Sequence, residues 1–298
     1  MRVTLIHNPG AGRQAGDAAP LRRCLEACGY EARYQSVKED GWKEALKEPA
    51  ELVMVAGGDG TVARVARRMV GRGVPIAVLP CGTANNIARS LGVVERSFEE
   101  LLRGLEGARR VKLDVGTVSA PWGGQRFVEG VGAGLFADLL GRASSEAPHA
   151  AKGSVESGLR RLRELAAHCE PMEIAASLDG RDLSGRYLLL EALNLPYVGP
   201  NLHLAHESHP GDGELDVVVV REAERDRLLH YLEHWQQNRE RLAMLPTLRG
   251  KELKMEWTGF ALHIDDKLRP KADAKPGKMA GLIEARLDGE SVEFLLPA

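Results

Sequence analysis

The sequence predicts an α/β domain with a parallel sheet covered by helices on both faces, followed by a mostly antiparallel β domain. Three observations predict this. Continuous apolar runs alternate with amphipathic ones over the first third of the chain, as parallel strands buried on both faces require. After about residue 110, short strand signals separated by turns take over. The 298 residues suffice for two cores of ordinary size.

In order along the chain, strands are expected at 3–8, 31–37, 52–56 and 75–80. Between them, Leu21, Leu25 and Cys28 share one helical face, and Val62, Val65, Ala66, Met69 and Val70 share another. The second part offers strands at 111–118, 126–131, 172–178, 185–193, 214–220, 252–257 and 260–264, with helices near 155–168 and 224–243. Asp179-Gly180 is a hairpin turn signal, because both residues tolerate positive φ. Strand-like 282–287 and 291–296 flank Asp288-Gly289, which therefore reads as a hairpin closing the last two strands. The segment 270–281, rich in Pro, Lys and Gly, reads as an exposed loop. The turn-rich Ala120-Pro121-Trp122-Gly123-Gly124 marks the change of texture, and the domains are set at 1–118 and 119–298.

Composition excludes several classes. Apolar residues make up 44%, so the chain is globular. The net charge is −2, from 40 basic and 42 acidic residues, and no aromatic-and-basic stripe is present, so nucleic acid is not an expected partner. No apolar run approaches the roughly 18 residues of a membrane span. Residues 1–8 read as a buried strand, not a signal peptide. Cys24, Cys28, Cys81 and Cys169 form no Cys-x-x-Cys pair, which suits a reduced cytoplasm.

Three of the first-domain strands run into glycine-bearing loops: Asn8-Pro9-Gly10-Ala11-Gly12, Gly57-Gly58-Asp59-Gly60-Thr61 and Pro80-Cys81-Gly82-Thr83-Ala84-Asn85-Asn86. Glycines let backbone N–H groups approach an anion, and the second and third loops open helices whose N-termini favour phosphate. One such loop is an ordinary tight turn as readily as a site. Three on successive strands gather at the carboxyl ends of a parallel sheet, where ligands bind. No Gly-Lys-Ser/Thr follows, so this is not a Walker A loop. Gly58-Asp59-Gly60-Thr61-Val62-Ala63 fits the Gly-x-Gly-x-x-Ala dinucleotide pattern, but the next strand ends Val78-Leu79-Pro80-Cys81, without the acid that would hold a ribose. A carboxylate at Asp59, beside phosphates, is tolerated where a divalent metal or a proton relay stands between them, which favours phosphoryl transfer.

Asn8-Pro9-x-x-Gly12, the Gly-Gly-Asp-Gly-Thr of 57–61 and Pro80-x-Gly82-Thr83-x-Asn85 together resemble the diacylglycerol kinase catalytic family, over essentially the whole chain. Gly-Gly-Asp-Gly-Thr is shared with NAD kinases; the other two motifs decide for the lipid branch. The resemblance implies an NAD kinase/diacylglycerol kinase-like fold, with an α/β nucleotide domain, a β-sandwich domain and the ATP site in the cleft between them. It implies an ATP-dependent lipid kinase using Mg2+, acting on a diacylglycerol-like, sphingoid or phosphatidylglycerol-like hydroxyl. Asn8, Gly57, Gly58, Asp59, Gly60, Thr61, Val62, Ala63 and Gly82 would cradle ATP, Thr83 would add a hydroxyl contact, and Ser36 stands where relatives carry a nucleotide-contacting Thr. His209-Pro210-Gly211-Asp212-Gly213-Glu214 resembles the family's magnesium loop, with Asp212 as carboxylate and oxygens near His209 and Glu214; the plain alternative is a turn. Relatives often have Asp where this chain has Asn86, and Asp114 matches a family acid. The family's late Asp-Gly-Glu reads Asp265-Asp266-Lys267 here. The general base is assigned to Asp265, at the end of the alternating strand Phe260–Ile264, rather than to Asp288, although Asp288-Gly289-Glu290 repeats the letters.

Other clusters are weaker. His203, His206 and His209 lack the spacing of a helical zinc site. Arg160, Arg161 and Arg163 read either as a solvated face or as a contact for anionic lipid. Cys81 reads as a small buried spacer. Expected partners are a lipid at a membrane surface, met peripherally, with a homodimer left open. Two rivals remain: a kinase of NAD or another soluble alcohol, and a nucleotide-binding regulatory module without activity, kept alive by Asp266-Lys267.

Overall fold

The computed structural model describes residues 1–12, 18–145, 154–235, 244–270 and 280–298. The chain forms two compact units, Met1–Val115 with Glu290–Ala298, and Gly116–Gly289.

In the first unit, β1 (Arg2–His7), β2 (Glu31–Ser36), β3 (Leu52–Gly57) and β4 (Ile76–Pro80) are parallel, with β1 between β2 and β3, and β4 beyond β3. β3 is buried at every residue, as a central parallel strand demands. The crossovers are α1 (Ala19–Ala27), α2 (Trp42–Ala45) and α3 (Asp59–Met69), and α4 (Asn86–Ser90) and α5 (Phe98–Arg103) follow β4. Most of the expected faces are buried, Leu21 and Leu25 on α1 and Val62, Val65, Ala66 and Met69 on α3, while Cys28 and Val70 are half-buried residues just past the helix ends. α5 carries a capping box, with Ser97 and Glu100 each satisfying the other's backbone N–H.

The far edge of this sheet corrects one expectation. Ser291–Leu296 does not fold back on 282–287. It lies between β4 and β5 (Arg109–Asp114), parallel to the first and antiparallel to the second. Asp288-Gly289 is still a turn, with Gly289 at φ +86°, but it ends the second unit. Phe294, fully buried, gains more apolar cover in the first core than a hairpin edge would give it.

The second unit is built on two six-strand paths of antiparallel pairs. One runs Arg181–Asp182, Ala176–Leu178, Glu252–Trp257, Gly281–Arg286, Gly116–Ser119, Gln125–Phe127. The other runs Thr247–Gly250, Leu215–Arg221, Gly185–Leu193, Gly130–Gly134, Leu262–Ile264, Lys267–Arg269. Residues of both share one core around Phe127, Tyr187, Leu190, Val217, Met255 and Ile283. Leu188, Leu189, Leu193 and Val218 turn to the other face of the second sheet and pack with the helices Leu135–Ser145, Val155–His168 and Arg225–His234. The expected hairpin at Asp179-Gly180 is present, with φ +49° and +78°. The helix Leu135–Ser145 was not expected: Gly130–Gly134 runs into it without a polar turn. Of the expected helix 224–243, residues 236–243 lie outside those described, as do 271–279 of the expected loop.

Candidate functional site

The first unit brings its three glycine loops together backbone to backbone. A Cβ on Gly82 would lie 2.5 Å from the Gly58 Cα and 2.6 Å from Asn85 Oδ1, so only glycine allows the second and third loops this approach. Cys81 N–H donates to Gly57 O at 3.0 Å. Asn8 ties in the first loop: its Nδ2 donates to Thr61 Oγ1 at 3.0 Å, and its Oδ1 accepts from Gly10 N–H at 3.1 Å. Asn85, at φ +53°, turns the third loop, accepting from Gly82 N–H and donating to Gly82 O. Its neighbour Asn86 is buried.

Asp59 is the first residue of α3, and its Oδ1 accepts from Ile87 N–H at 2.9 Å, in the first turn of α4. Burial pushes its carboxyl above the usual carboxylate range, against the backbone N–H groups of Ile87, Asn86, Asp59 and Asn85 that pull it down. Asp59 thus links the starts of α3 and α4 while holding its proton more tightly than an ordinary aspartate.

The remaining expected nucleotide contacts divide. Thr83 is exposed on the third loop. Ser36 is buried, and its hydroxyl accepts from Lys38 N–H at 3.2 Å. Val62 and Ala63 have their side chains buried on the core face of α3. The sequence reading missed Lys38. Its exposed side chain reaches the first loop, with Nζ 3.0 Å from where a Gly10 Cβ would stand. The signal was available, a lysine two residues beyond a strand whose end faces the glycine loops. Asp114 is buried at the end of β5, paired with Ser291.

In the second unit, Asp265 is buried at φ +50° in the turn between Leu262–Ile264 and Lys267–Arg269. Its Oδ1 accepts from the N–H groups of Val128 (2.9 Å), Glu129 (2.8 Å) and Gly130 (3.4 Å). Lys267 Nζ donates to Asp266 at 2.7 Å, so its ammonium is engaged by the neighbouring carboxylate rather than by Asp265. Asp288 is exposed and accepts from Thr117 Oγ1 at 3.1 Å.

The expected magnesium loop does not fit a metal as it stands. Arg249 donates to Asp212 Oδ2, lies 3.0 Å from Glu214 Oε2 and places Nε 3.5 Å from the buried Asp216. The cation among these carboxylates is a guanidinium. Asp212 Oδ1 accepts from Glu214 N–H, and the His209 carbonyl accepts from Asp212 N–H, as in a tight turn. The His209 ring bonds the Glu207 carbonyl. Among the described residues no group of three His, Cys, Asp or Glu is arranged to hold a metal. His203 and His206 stack on one another at 4.3 Å, and Tyr197 stacks on His203.

Comparisons with known proteins agree with this architecture. Residues 2–118 match the family profile of the diacylglycerol kinase catalytic domain, and 131–275 that of the YegS C-terminal NAD kinase beta sandwich-like domain. The chain is 27% identical over 238 residues to a diacylglycerol kinase of Bacillus subtilis (strain 168), covering 74% of each. It is 24% identical over 225 residues to one of Mycobacterium tuberculosis (strain ATCC 25618 / H37Rv), covering 74% of this chain and 72% of that one. Its fold is similar to a crystal structure of a diacylglycerol kinase from Bacillus anthracis str. Sterne, with a TM-score of 0.69, 20% identity, and 98% and 96% of the two chains covered.

Proposed function

This chain belongs to the diacylglycerol kinase catalytic family, and from that premise we propose that it transfers the γ-phosphate of ATP directly to the hydroxyl of a membrane lipid. The observation that carries the reading is the convergence of three glycine loops at Gly58 and Gly82, with Asp59 bridging two helix starts. Such a cradle offers backbone N–H groups and helix dipoles to phosphates. Lys38, at the first loop, adds a positive charge. Mg2+ arrives with the nucleotide, as MgATP, and supplies charge neutralisation at the β- and γ-phosphates.

Asp265 is the proton acceptor in this reading. Its Oδ1 accepts from three N–H groups, which fix the carboxylate, and the carboxylate takes the proton of the lipid hydroxyl. The lipid oxygen then bonds to the γ-phosphorus, the bond to the β,γ-bridging oxygen breaks, and ADP leaves with that electron pair. Catalysis is mostly positioning and charge stabilisation. Among the described residues no helix is long and apolar enough to cross a membrane. In this reading the lipid is met peripherally at the membrane surface, and ATP together with four free thiols suits the cytoplasm.

The substrate class is tested with γ-labelled ATP offered to vesicles containing diacylglycerol, sphingoid base or phosphatidylglycerol, with NAD as a soluble competitor. Label is expected in a lipid. Labelled NAD with unlabelled lipid would overturn the assignment, and would favour the soluble-alcohol rival that shares Gly-Gly-Asp-Gly-Thr.

A further inference from the structure

The second sheet of the second unit buries two ionisable side chains that the proposed reaction does not use directly. Leu262 and Ile264 point into the sandwich core, so His263 points to the opposite face, under the ring of Phe136. Leu190 and Ala192 likewise point inward, which sends Glu191 to that same face. Glu191 and His263 are both cross-strand partners of Gly132, one on each side. Their strands are thus two spacings apart, roughly 10 Å. Yet Glu191 Oε2 meets His263 Nε2 at 2.7 Å. The pair meets because position 132 has no side chain; a Cβ there would overlap the Glu191 carboxylate.

The other ring nitrogen points at the turn. His263 Nδ1 lies 2.9 Å from the Asp265 carbonyl oxygen. A carbonyl only accepts, so Nδ1 carries the hydrogen. Asp265 N–H donates to Gly130 O at 2.9 Å, and Asp265 Oδ1 gathers the N–H groups of 128–130. Asn194 holds the same segment, donating its Nδ2–H to Val128 O at 2.7 Å and its N–H to Glu129 O at 2.9 Å. A non-glycine residue at φ +50° persists where its surroundings over-determine it.

We infer that Glu191 and His263 are a positioning pair, joined over Gly132, that fixes the backbone of Asp265 and through it the aim of the Asp265 carboxylate. The inference rests on Asp265 accepting the substrate's proton. Burial lowers His263 while an ionised Glu191 beside it would raise it, to a net rise; the unpartnered Oε1 of Glu191 decides between the two for a neutral couple. Burial raises the Glu191 carboxyl, and its Oε1 has no hydrogen-bond partner, which a neutral acid tolerates better than a carboxylate. Glu191 O–H then donates to Nε2, and Nε2 accepts only while Nδ1 keeps its hydrogen. The carboxyl selects the tautomer that holds Asp265. Among the described residues, the ionisable groups that act on His263 are Glu191 and Asp265.

Three variants and one spectrum test this. Glu191→Gln keeps a donor to Nε2 and is expected to hold kcat within about threefold of wild type. The double variant Glu191→Leu/His263→Phe replaces the buried polar pair by apolar side chains, a change that such sites often tolerate. It is expected to lose about tenfold or more in kcat, with the KM for ATP changed less than about twofold, and to speed amide exchange at 128–130. Wild-type kcat with unchanged exchange at 128–130 would overturn the positioning role. Asp265→Asn run beside them separates the premise from the inference. If it retains turnover, the base assignment falls, while amide exchange still reports the pair's hold on the turn. Nitrogen-15 spectra of wild-type His263 need no variant: a protonated Nδ1 is expected at neutral pH, and an Nε2–H tautomer would sink the idea.

Discussion

Asp59→Asn is expected to lower phosphoryl transfer by at least about 10³-fold while leaving the protein folded. Asp59 holds the start of α4 through Ile87 N–H and sits where the glycine loops converge. Asparagine keeps an oxygen for that N–H but can neither carry charge nor relay a proton. Alanine is the poorer probe, since it removes the acceptor altogether, at a cost of about 1 kcal/mol. The pH dependence of melting has a definite sign. The folded state holds the Asp59 proton more tightly than the unfolded chain, mainly through burial. The native protein therefore binds more protons between the unfolded and folded pKa values, and wild-type stability falls as pH rises through that window. Asp59→Asn has no proton to lose there. Its melting temperature should rise relative to wild type across the window and hold a constant advantage above it. Unchanged turnover in the folded variant would refute the role of Asp59, and a melting difference of opposite sign would refute its raised proton affinity.

The second large effect belongs to Asp265. Asp265→Asn is expected to cost about 10²–10⁴ in kcat, or about 3–5 kcal/mol of barrier, with ATP binding retained. The amide oxygen can still accept from Val128, Glu129 and Gly130, so the turn survives, with weaker bonds than a carboxylate makes. Asp288→Asn is the control. Asp288 is exposed, bonds Thr117 and lies 3.7 Å from Arg286, a surface pairing of small energetic weight. Its kcat should stay within about twofold of wild type. Steady-state rates with the opposite pattern would hand the base to Asp288. Full activity in both would leave the hydroxyl proton to another acceptor.

Local signals were legible wherever one stretch of chain decides its own structure. Gly185–Leu193, Glu252–Trp257 and the helix Val155–His168 fall where their periodicity puts them, and Asp179-Gly180 turns where its residues favour positive φ. The close approach of the glycine loops was legible because glycine, asparagine and aspartate at fixed spacings mark tight backbone contact. What escaped depends on partners far away in sequence. Ser291–Leu296 reads as a strand, but nothing local says that it pairs with Arg109–Asp114 instead of its neighbour. Arg249 reaches Asp212 only because Thr247–Gly250 lies beside Leu215–Arg221. Glu191 and His263 meet only when three strands take the register that puts Gly132 between them. Polar residues inside apolar strands were the one available signal for that pair.

The central claim is that the three converging glycine loops are a nucleotide site. Calorimetric titration of MgATP into the wild-type protein and into Gly82→Ala, without lipid, tests it most directly. A Cβ at position 82 would meet the Gly58 backbone at 2.5 Å and must push the loops apart, while circular dichroism and melting report whether the rest stays folded. Saturable one-to-one binding to wild type and none to folded Gly82→Ala is the predicted result. Equal binding to both proteins, or no ATP binding to wild type, would contradict it.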